Sequence, residues 1–181
     1  LINIDITAEA IRKAKEEAEL MSGVQIQTVW LGVAGTHIES FDSNGMVAIK
    51  DHEVKQDDVN RVIEAAQAVK IPSDRQVLHI LPNEYRIDQQ EGINDPIGMA
   101  GVRLEASVHI ITGASSTLQN SIKCTEKAGL KVSGLVLQQL ASAKAILSDD
   151  ERNLGVTVVD MGGGTCDILT FFQGSVIHTD V

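Results

Sequence analysis

The order of apolar and polar positions predicts a helix and then a buried strand at the start of the chain. Residues 7–21 have the spacing of an amphipathic helix, with Thr7 as the expected N-cap. Its apolar face consists of Ile11, Ala14, Ala18 and Met21. Residues 28–35 are almost wholly apolar, which is typical of a strand covered on both faces. We therefore expect Trp30 to pack in the core.

Between His37 and Thr112 the apolar runs become shorter and alternate with polar residues, so we predict a separate subdomain. Residues 56–69 predict its helix, with acidic residues in the first turn. Residues 75–81 predict a strand that bends at 82–84 and continues to 87. Residues 102–112 predict a second strand with one buried and one mostly wet face. This pattern favours antiparallel strands under one helix.

After Gly113 the longer helical period returns. Ser115 or Ser116 is the expected cap of a helix that ends at Gly129. Residues 130–137 predict a strand and residues 138–147 a second helix, followed by an acidic turn at 148–151. The order strand, inserted module, helix, strand, helix implies that the first and last thirds of the chain form one α/β layer, interrupted by the middle third.

Composition narrows the classes of function. The chain has 181 residues, of which 43% are hydrophobic and 22% charged, as in a folded domain rather than a disordered one. Its net charge of -10 repels phosphate backbones and anionic lipids, which argues against nonspecific binding of nucleic acid or membrane. For the same reason, we expect a bound nucleotide to need a divalent cation.

The two cysteines, Cys124 and Cys166, lie far apart and the five histidines are scattered, so neither a disulfide framework nor a zinc site is indicated. We therefore expect the protein to reside in the cytoplasm, which is reducing. No apolar run approaches the roughly 20 residues that cross a bilayer, and residues 1–5 have neither the basic region nor the cleavage site that we would expect of a signal peptide. The chain lacks an initiating methionine and stops directly after a strand-like run, so we expect it to be a piece of a longer polypeptide.

The segment that carries chemistry has the pattern D-x-G-G-G-T-x-D between two apolar strands, from Val156 to Phe172. The consecutive glycines Gly162, Gly163 and Gly164 would let backbone N–H groups converge on a phosphate. Asp160 can meet a hydrated Mg²⁺, and the Thr165 hydroxyl can add a donor. The alternative is a plain turn, because glycine supplies positive φ in many turns. The full pattern is more restrictive and favours phosphate binding.

Other nucleotide and hydrolase motifs do not occur. The chain has no G-x-x-x-x-G-K-[ST], no G-x-G-x-x-G that opens a helix, no G-x-S-x-G and no H-E-x-x-H. We expect His79 and His109 to be ordinary surface or hydrogen-bonded positions without a chemical role. Cys166 follows the glycines, and we expect it to pack rather than to act as a nucleophile.

Two stretches resemble a known family. VVDMGGGTCDILTF is similar to the second phosphate loop of the actin, sugar kinase and heat-shock chaperone superfamily. RQVLHILPNEYRIDQQEGINDPIGMAGVRLEASVHIIT is similar to the inserted subdomain of FtsA, the family of bacterial cell-division actin homologues. The resemblance continues through KCTEKAGLKVSGLVLQQLASAKAILSDDERNLGV and so covers essentially the whole chain.

The resemblance implies an α/β chain that is part of an actin-like (ribonuclease H-like) fold with an inserted small α+β subdomain. Residues 1–33 and 116–150 would belong to subdomain IA and residues 34–115 to the inserted subdomain IC. Residues 151–181 would form the first strands of subdomain IIA with phosphate loop 2. The implied cofactors are ATP and Mg²⁺, and no catalytic residue is implied. The implied contacts to ATP are Asp160, Gly162, Gly163, Gly164 and Thr165, and Asp160 would meet Mg²⁺ through water.

The implied function is that of an ATP-binding assembly protein with slow or absent hydrolysis. Such a protein links FtsZ and other division proteins to the cytoplasmic face of the bacterial inner membrane at the division site, and self-polymerises through the inserted subdomain. Its membrane contact uses a C-terminal amphipathic helix that this chain lacks, and no nucleic acid is implied. The alternative is another actin-superfamily ATPase or phosphotransferase, such as a PilM-like pilus assembly protein.

The chain also departs from the family pattern. The family holds ATP between two lobes with three segments, of which only the glycine loop occurs here. We therefore expect this chain to bind nucleotide weakly or not at all by itself, and to be inactive alone.

Overall fold

The structure, a computed structural model, describes residues 3–181. Leu1 and Ile2, at the start of the predicted segment 1–33, lie outside the described residues. The helices are α1 (Ile4–Ser22), α2 (Gln56–Gln67), α3 (Ser115–Lys127), α4 (Gln138–Ile146) and α5 (Asp149–Leu154). The strands are β1 (Thr28–Val33), β2 (Ile38–Ala48), β3 (Arg75–Ile87), β4 (Gln90–Ile93), β5 (Arg103–Ala114), β6 (Lys131–Leu137), β7 (Val156–Met161), β8 (Cys166–Phe172) and β9 (Ser175–Asp180).

The first layer is a parallel pair of strands, β1 and β6, whose register runs from Thr28 beside Lys131 to Val33 beside Leu137. Helices α1 and α3 contact each other, and α3 also contacts β6. The segment between β1 and α3 forms a sheet of its own. The chain thus leaves the first layer at the end of β1, forms a separate sheet, and returns to the first layer at the start of α3.

Two helix starts differ from the sequence prediction. The side chain of Asn3 accepts hydrogen bonds from the N–H groups of Asp5 and Ile6, so α1 begins a turn earlier than expected and Thr7 is not its cap. Helix α3 begins after Ala114 with no side-chain cap, so neither Ser115 nor Ser116 has the expected role. Helix α1 is still capped by a side chain, that of Asn3 rather than Thr7, whereas α3 has no side-chain cap.

Strand β1 is covered on one face only, so the expectation of a strand buried on both faces is wrong. Val33 is buried and Leu31 half-buried, but Trp30 on the opposite face is 70% exposed. Its indole lies over Gly134 of β6, where an added Cβ would be 2.4 Å from the nearest ring atom. Trp30 therefore covers its neighbouring strand rather than filling the core.

The inserted subdomain is a four-stranded antiparallel sheet, ordered β2-β5-β3-β4, with α2 packed against β2 and β5. The pattern predicted antiparallel strands under one helix and the positions of β3 and β5, but not β2 or β4. Strand β3 passes through the predicted bend as one strand with an irregular register between Pro82 and Glu84. Along β5 the predicted alternation holds only as far as Val108, and from His109 to Gly113 both faces are buried. The core under α2 contains Val59, Val62, Tyr85, Ile87 and Leu104.

The last layer is an antiparallel sheet, β7-β8-β9, that packs against α4. Helix α5 replaces the acidic turn predicted at 148–151. The Ser148 hydroxyl accepts the N–H of Glu151, while the Glu151 carboxylate accepts the N–H of Ser148. This pair of bonds caps a short helix. The backbone hydrogen bond from Ser148 lowers the pKa of Glu151, with the Ser148 hydroxyl as the second cause.

Polar contacts join the inserted sheet to both other layers. His79 Nε2 accepts the N–H of Leu137 at 2.9 Å, where β6 ends. His109, only 4% exposed, lies with Nδ1 2.7 Å from Asp42 Oδ1 and Nε2 3.2 Å from Thr179 Oγ1 on β9. Both histidines are therefore hydrogen-bonded, but His109 is interior rather than on a wet face. Within residues 3–181, no helix is long and apolar enough to cross a membrane.

We expect Gly45→Ala to destabilise the chain, because α2 crosses β2 at this glycine. A Cβ at position 45 would lie 2.3 Å from the Val62 carbonyl oxygen and 2.5 Å from the Ala66 nitrogen, both backbone atoms that cannot move away alone. Overpacking of this kind costs about 1–3 kcal/mol. Urea unfolding followed by circular dichroism measures the change. The matched control is Gly163→Ala, whose Cβ meets nothing within 4 Å; equal stability of the two variants would contradict the assigned close approach.

We also expect the free energy of unfolding to fall as the pH is lowered from 7.5 to 5.5. Burial lowers the pKa of both His37 and His79, and for His37 the nearby Arg75 lowers it further. Between the lowered folded value and the ordinary value of about 6.5, the unfolded chain binds more protons than the folded chain, so acid favours unfolding. Urea titrations across this range measure the slope. The double variant His37→Gln/His79→Gln should flatten it, and a variant that keeps the full slope would exclude these two rings as its source.

Candidate phosphate-binding hairpin

The D-x-G-G-G-T-x-D segment forms the hairpin between β7 and β8. Asp160 lies opposite Asp167, and Met161 lies opposite Cys166, which leaves residues 162–165 as the connecting loop. The loop is closed by the N–H of Gly162, which donates to the carbonyl oxygen of Thr165 at 3.0 Å. The hairpin tip is exposed to solvent, so an external ligand can reach it.

The fold itself does not require three glycines at this tip. None of Gly162, Gly163 and Gly164 has φ in the left-handed region, so the positive-φ explanation of a plain turn does not apply. A Cβ at Gly163 or Gly164 would meet nothing within 4 Å, and one at Gly162 would come no closer than 3.5 Å to another atom. Side chains would therefore fit here without strain. What their absence provides is bare backbone that a ligand can approach closely.

Asp160 lies at the carboxyl end of β7, where α4 passes beside the hairpin. Its Oδ2 accepts hydrogen bonds from Gln138 Nε2 at 3.2 Å and from Ser142 Oγ at 3.3 Å. Both donors come from the first half of α4. The carboxylate is therefore held in one orientation at the base of the glycine loop, on the side where α4 begins.

The side chains at this site suit a magnesium ion that keeps most of its water ligands better than one enclosed by protein ligands. Within the described part of the chain, no group of three or more His, Cys, Asp or Glu side chains is arranged around a common point. Asp160 is a single, oriented carboxylate beside an open loop. Mg²⁺ commonly keeps several waters and binds through one or two carboxylates plus the phosphates of its nucleotide. Asp160 is the residue that would hold such an ion.

Thr165 has a partner inside the hairpin. Its hydroxyl donates to Asp167 Oδ2 at 3.0 Å, and Asp167 is buried. The other oxygen of Asp167, Oδ1, has no hydrogen-bond partner among residues 3–181. The single hydroxyl proton of Thr165 is thus directed at Asp167, and its donation to a phosphate stays a prediction that requires the hydroxyl to rotate.

Two residues of this site were not predicted from the sequence. Gln138 and Ser142 precede Asp160 by 22 and 18 residues and reach it only because α4 packs beside β7. No local pattern indicates that contact. Asp167 was visible as the last position of the motif, and its burial follows from alternation along β8.

Cys166 does not pack as expected. Alternation along β8 turns Asp167 and Leu169 inward, so the Cys166 side chain lies on the exposed face. The expectation of packing is wrong because the register of the hairpin, rather than the apolar character of the side chain, decides which face the residue occupies.

Comparison with known proteins gives a consistent family assignment. The family described as "SHS2 domain inserted in FTSA" matches residues 35–112. The cell division protein FtsA of Pseudomonas aeruginosa is 50% identical over 181 residues, which is 100% of this chain and 43% of that protein. FtsA of Neisseria meningitidis is 51% identical over 179 residues, 99% of this chain and 43% of that protein. FtsA of Escherichia coli K12 is 43% identical over 179 residues, 99% of this chain and 43% of that protein.

A solved structure shares the fold at low sequence identity. The PilM-PilN type IV pilus biogenesis complex superposes with a TM-score of 0.61 at 11% identity, covering 94% of this chain and 47% of that chain. PilM is actin-like, so this likeness confirms the predicted fold class, part of an actin-like fold with an inserted subdomain. The assignment of residues 1–33, 116–150 and 151–181 to particular actin subdomains stays a prediction.

The chain spans 43% of the length of the FtsA relatives named above. Their identity to it extends along the whole chain rather than over the inserted subdomain alone, and the fold agrees with the same assignment. Over the segment that it spans, the chain belongs to the FtsA family of cell division proteins.

Proposed function

We propose that the β7–β8 hairpin binds the phosphates of ATP with Mg²⁺ and forms one wall of a nucleotide site in an FtsA-family division protein. The observation that supports this proposal is the run of three exposed glycines where neither φ nor crowding requires glycine. A plain hairpin would be stable with side chains at these positions. A phosphate group needs them bare, because its oxygens must come within hydrogen-bond distance of the backbone N–H groups.

The cation follows from the charge of the site. Asp160 lies two residues before the glycines, opposite the buried Asp167, and the chain as a whole carries a net charge of -10. A triphosphate placed beside it is repelled unless a divalent cation neutralises the contact. A bound Mg²⁺ would supply the positive charge that offsets the repulsion between the phosphates and this carboxylate. Gln138 and Ser142 hold Asp160, the residue that would meet the ion.

The wider proposal is an assembly protein of the division machinery. Nucleotide occupancy would bias self-association, with slow or absent hydrolysis, because a ligand shifts an equilibrium between two conformations without being consumed. We propose FtsZ and other division proteins as partners, the inserted subdomain as the self-association surface, and the cytoplasmic face of the inner membrane as the location. Membrane attachment would use a C-terminal amphipathic helix of the whole protein. The support for these proposals is the family membership.

We expect Gly163→Val to weaken ATP·Mg²⁺ binding by about 10- to 100-fold in a full-length FtsA-family protein that carries this segment. The branched side chain would occupy the space that the phosphates need, and charge-assisted hydrogen bonds to them are worth about 1.5–3 kcal/mol each. Calorimetric titration with ATP and Mg²⁺ measures the affinity. Unchanged affinity would contradict the phosphate-binding role.

Further measurements distinguish an effect on ligand binding from an effect on the fold, and test assembly. The stability of the 181-residue chain should not change in Gly163→Ala, since its Cβ meets no neighbour within 4 Å. Asp160→Asn keeps the shape of the side chain but removes its charge, so it should reduce the dependence of ATP affinity on Mg²⁺ concentration. A sedimentation assay with ATP tests assembly, and rapid phosphate transfer to a small acceptor would instead support a phosphotransferase.

A further inference from the structure

His79 lies on β3, in the inserted sheet, yet its hydrogen bond crosses to the first layer. Ring atom Nε2 accepts the backbone N–H of Leu137 at 2.9 Å. An accepting Nε2 places the ring proton on Nδ1 and leaves the ring uncharged. Burial lowers the pKa of His79, which keeps this neutral form present at neutral pH. The contact is thus a specific bond between the inserted subdomain and the end of β6.

Leu137 is the residue at which β6 turns into α4. It is the N-cap residue of the helix, and no side chain caps the free N–H groups of the first turn. Its own side chain is fully buried. The start of α4 is therefore held by the burial of Leu137, by the bond from its N–H to His79 and by the packing of the helix on β7, rather than by a local capping residue.

The first turns of α4 carry the two side chains that hold Asp160. Gln138 follows Leu137 directly in the chain, and Ser142 lies one helical turn further on. Both donate to Asp160 Oδ2 at the base of the glycine loop. A continuous series of contacts thus runs from His79 through one backbone amide and two donors to the carboxylate beside the candidate phosphate site.

We propose that His79 is a positioning residue for the nucleotide site, which fixes the start of α4 so that Gln138 and Ser142 hold Asp160 toward the bound phosphates and Mg²⁺. This inference rests on the proposed function of the hairpin. It assigns to the inserted subdomain a structural connection to the nucleotide site that runs through the start of α4. Because coupling between two sites is reciprocal, displacement of the inserted sheet would alter nucleotide affinity, and nucleotide binding would in turn favour one placement of the sheet.

The test compares three variants in a full-length FtsA-family protein that carries this segment. His79→Leu removes the acceptor, and we expect ATP·Mg²⁺ binding to weaken about 3- to 10-fold, the equivalent of one typical hydrogen bond. His79→Gln offers a side-chain oxygen in a similar place and should restore affinity to within about 2-fold. Ser43→Ala is the matched control, because it also removes a side-chain hydrogen bond of the inserted sheet, from Ser43 Oγ to the Ala66 carbonyl at 2.8 Å, and this bond joins β2 to α2 rather than to α4.

A second readout follows the bond itself in the 181-residue chain. Amide hydrogen exchange by NMR should show the Leu137 N–H exchanging about 10-fold faster or more in His79→Leu, with protection retained in His79→Gln and in Ser43→Ala. Loss of protection together with weakened ATP binding supports the proposal.

The remaining outcomes overturn it. If His79→Leu binds ATP as the unaltered protein does, His79 does not position the site, even when Leu137 loses protection. If Ser43→Ala weakens binding as much as His79→Leu, the effect is general destabilisation. If the unaltered full-length protein does not bind ATP·Mg²⁺, the proposed function fails first, and the positioning role fails with it.

Discussion

Strands β1 and β6 are separated in sequence by the whole inserted subdomain, yet they lie side by side, and the placement of every other layer depends on that pairing. Parallel strands need a long connection, and here the connection contains a complete antiparallel sheet with its own helix and core. Because α3 follows the insertion directly and β6 follows α3, the sheet is attached at both ends to the same layer. The insertion is thereby held in a defined orientation by its two chain connections.

Polar contacts add to that attachment. His79 meets the end of β6, His109 meets Thr179, and the Ser175 hydroxyl donates to the Asn83 carbonyl at 2.7 Å. The first of these bonds joins the inserted sheet to the end of β6, and the other two join it to β9. Directional bonds of this kind fix relative placement in a way that apolar contact alone does not, since the hydrophobic effect has no preferred direction. They also make the junctions sensitive to any movement between layers.

Much of the fold could be predicted from the sequence, because its elements have clear periodicity. The antiparallel sheet under α2, the return of a helix near Ser115, the parallel strand at Lys131 and the glycine hairpin all follow from local patterns. The side chains whose burial could not be predicted are those for which it depends on which face of the strand another element covers. Trp30 is a large apolar residue of the kind that usually packs in a core, but it lies on an open face of the sheet. Cys166 faces solvent because the register of the hairpin decides which face its side chain occupies.

The candidate site likewise has one part that the sequence predicts and another that it does not. The bare glycines and Asp160 form a contiguous motif, so their proximity is a property of the sequence. Gln138 and Ser142 join them only through the packing of α4 on the last sheet, which no spacing rule encodes. His109 is a similar case, since its strand position indicated a wet face until β9 covered it.

The open face of the first sheet has a practical consequence. Trp30 is the one tryptophan of the chain, and its indole rests on Gly134 with most of its surface in water. Indole emission shifts to shorter wavelength when water is removed from the ring. The chain therefore carries an intrinsic optical reporter, at a known place, for any molecule or polypeptide that settles on this surface.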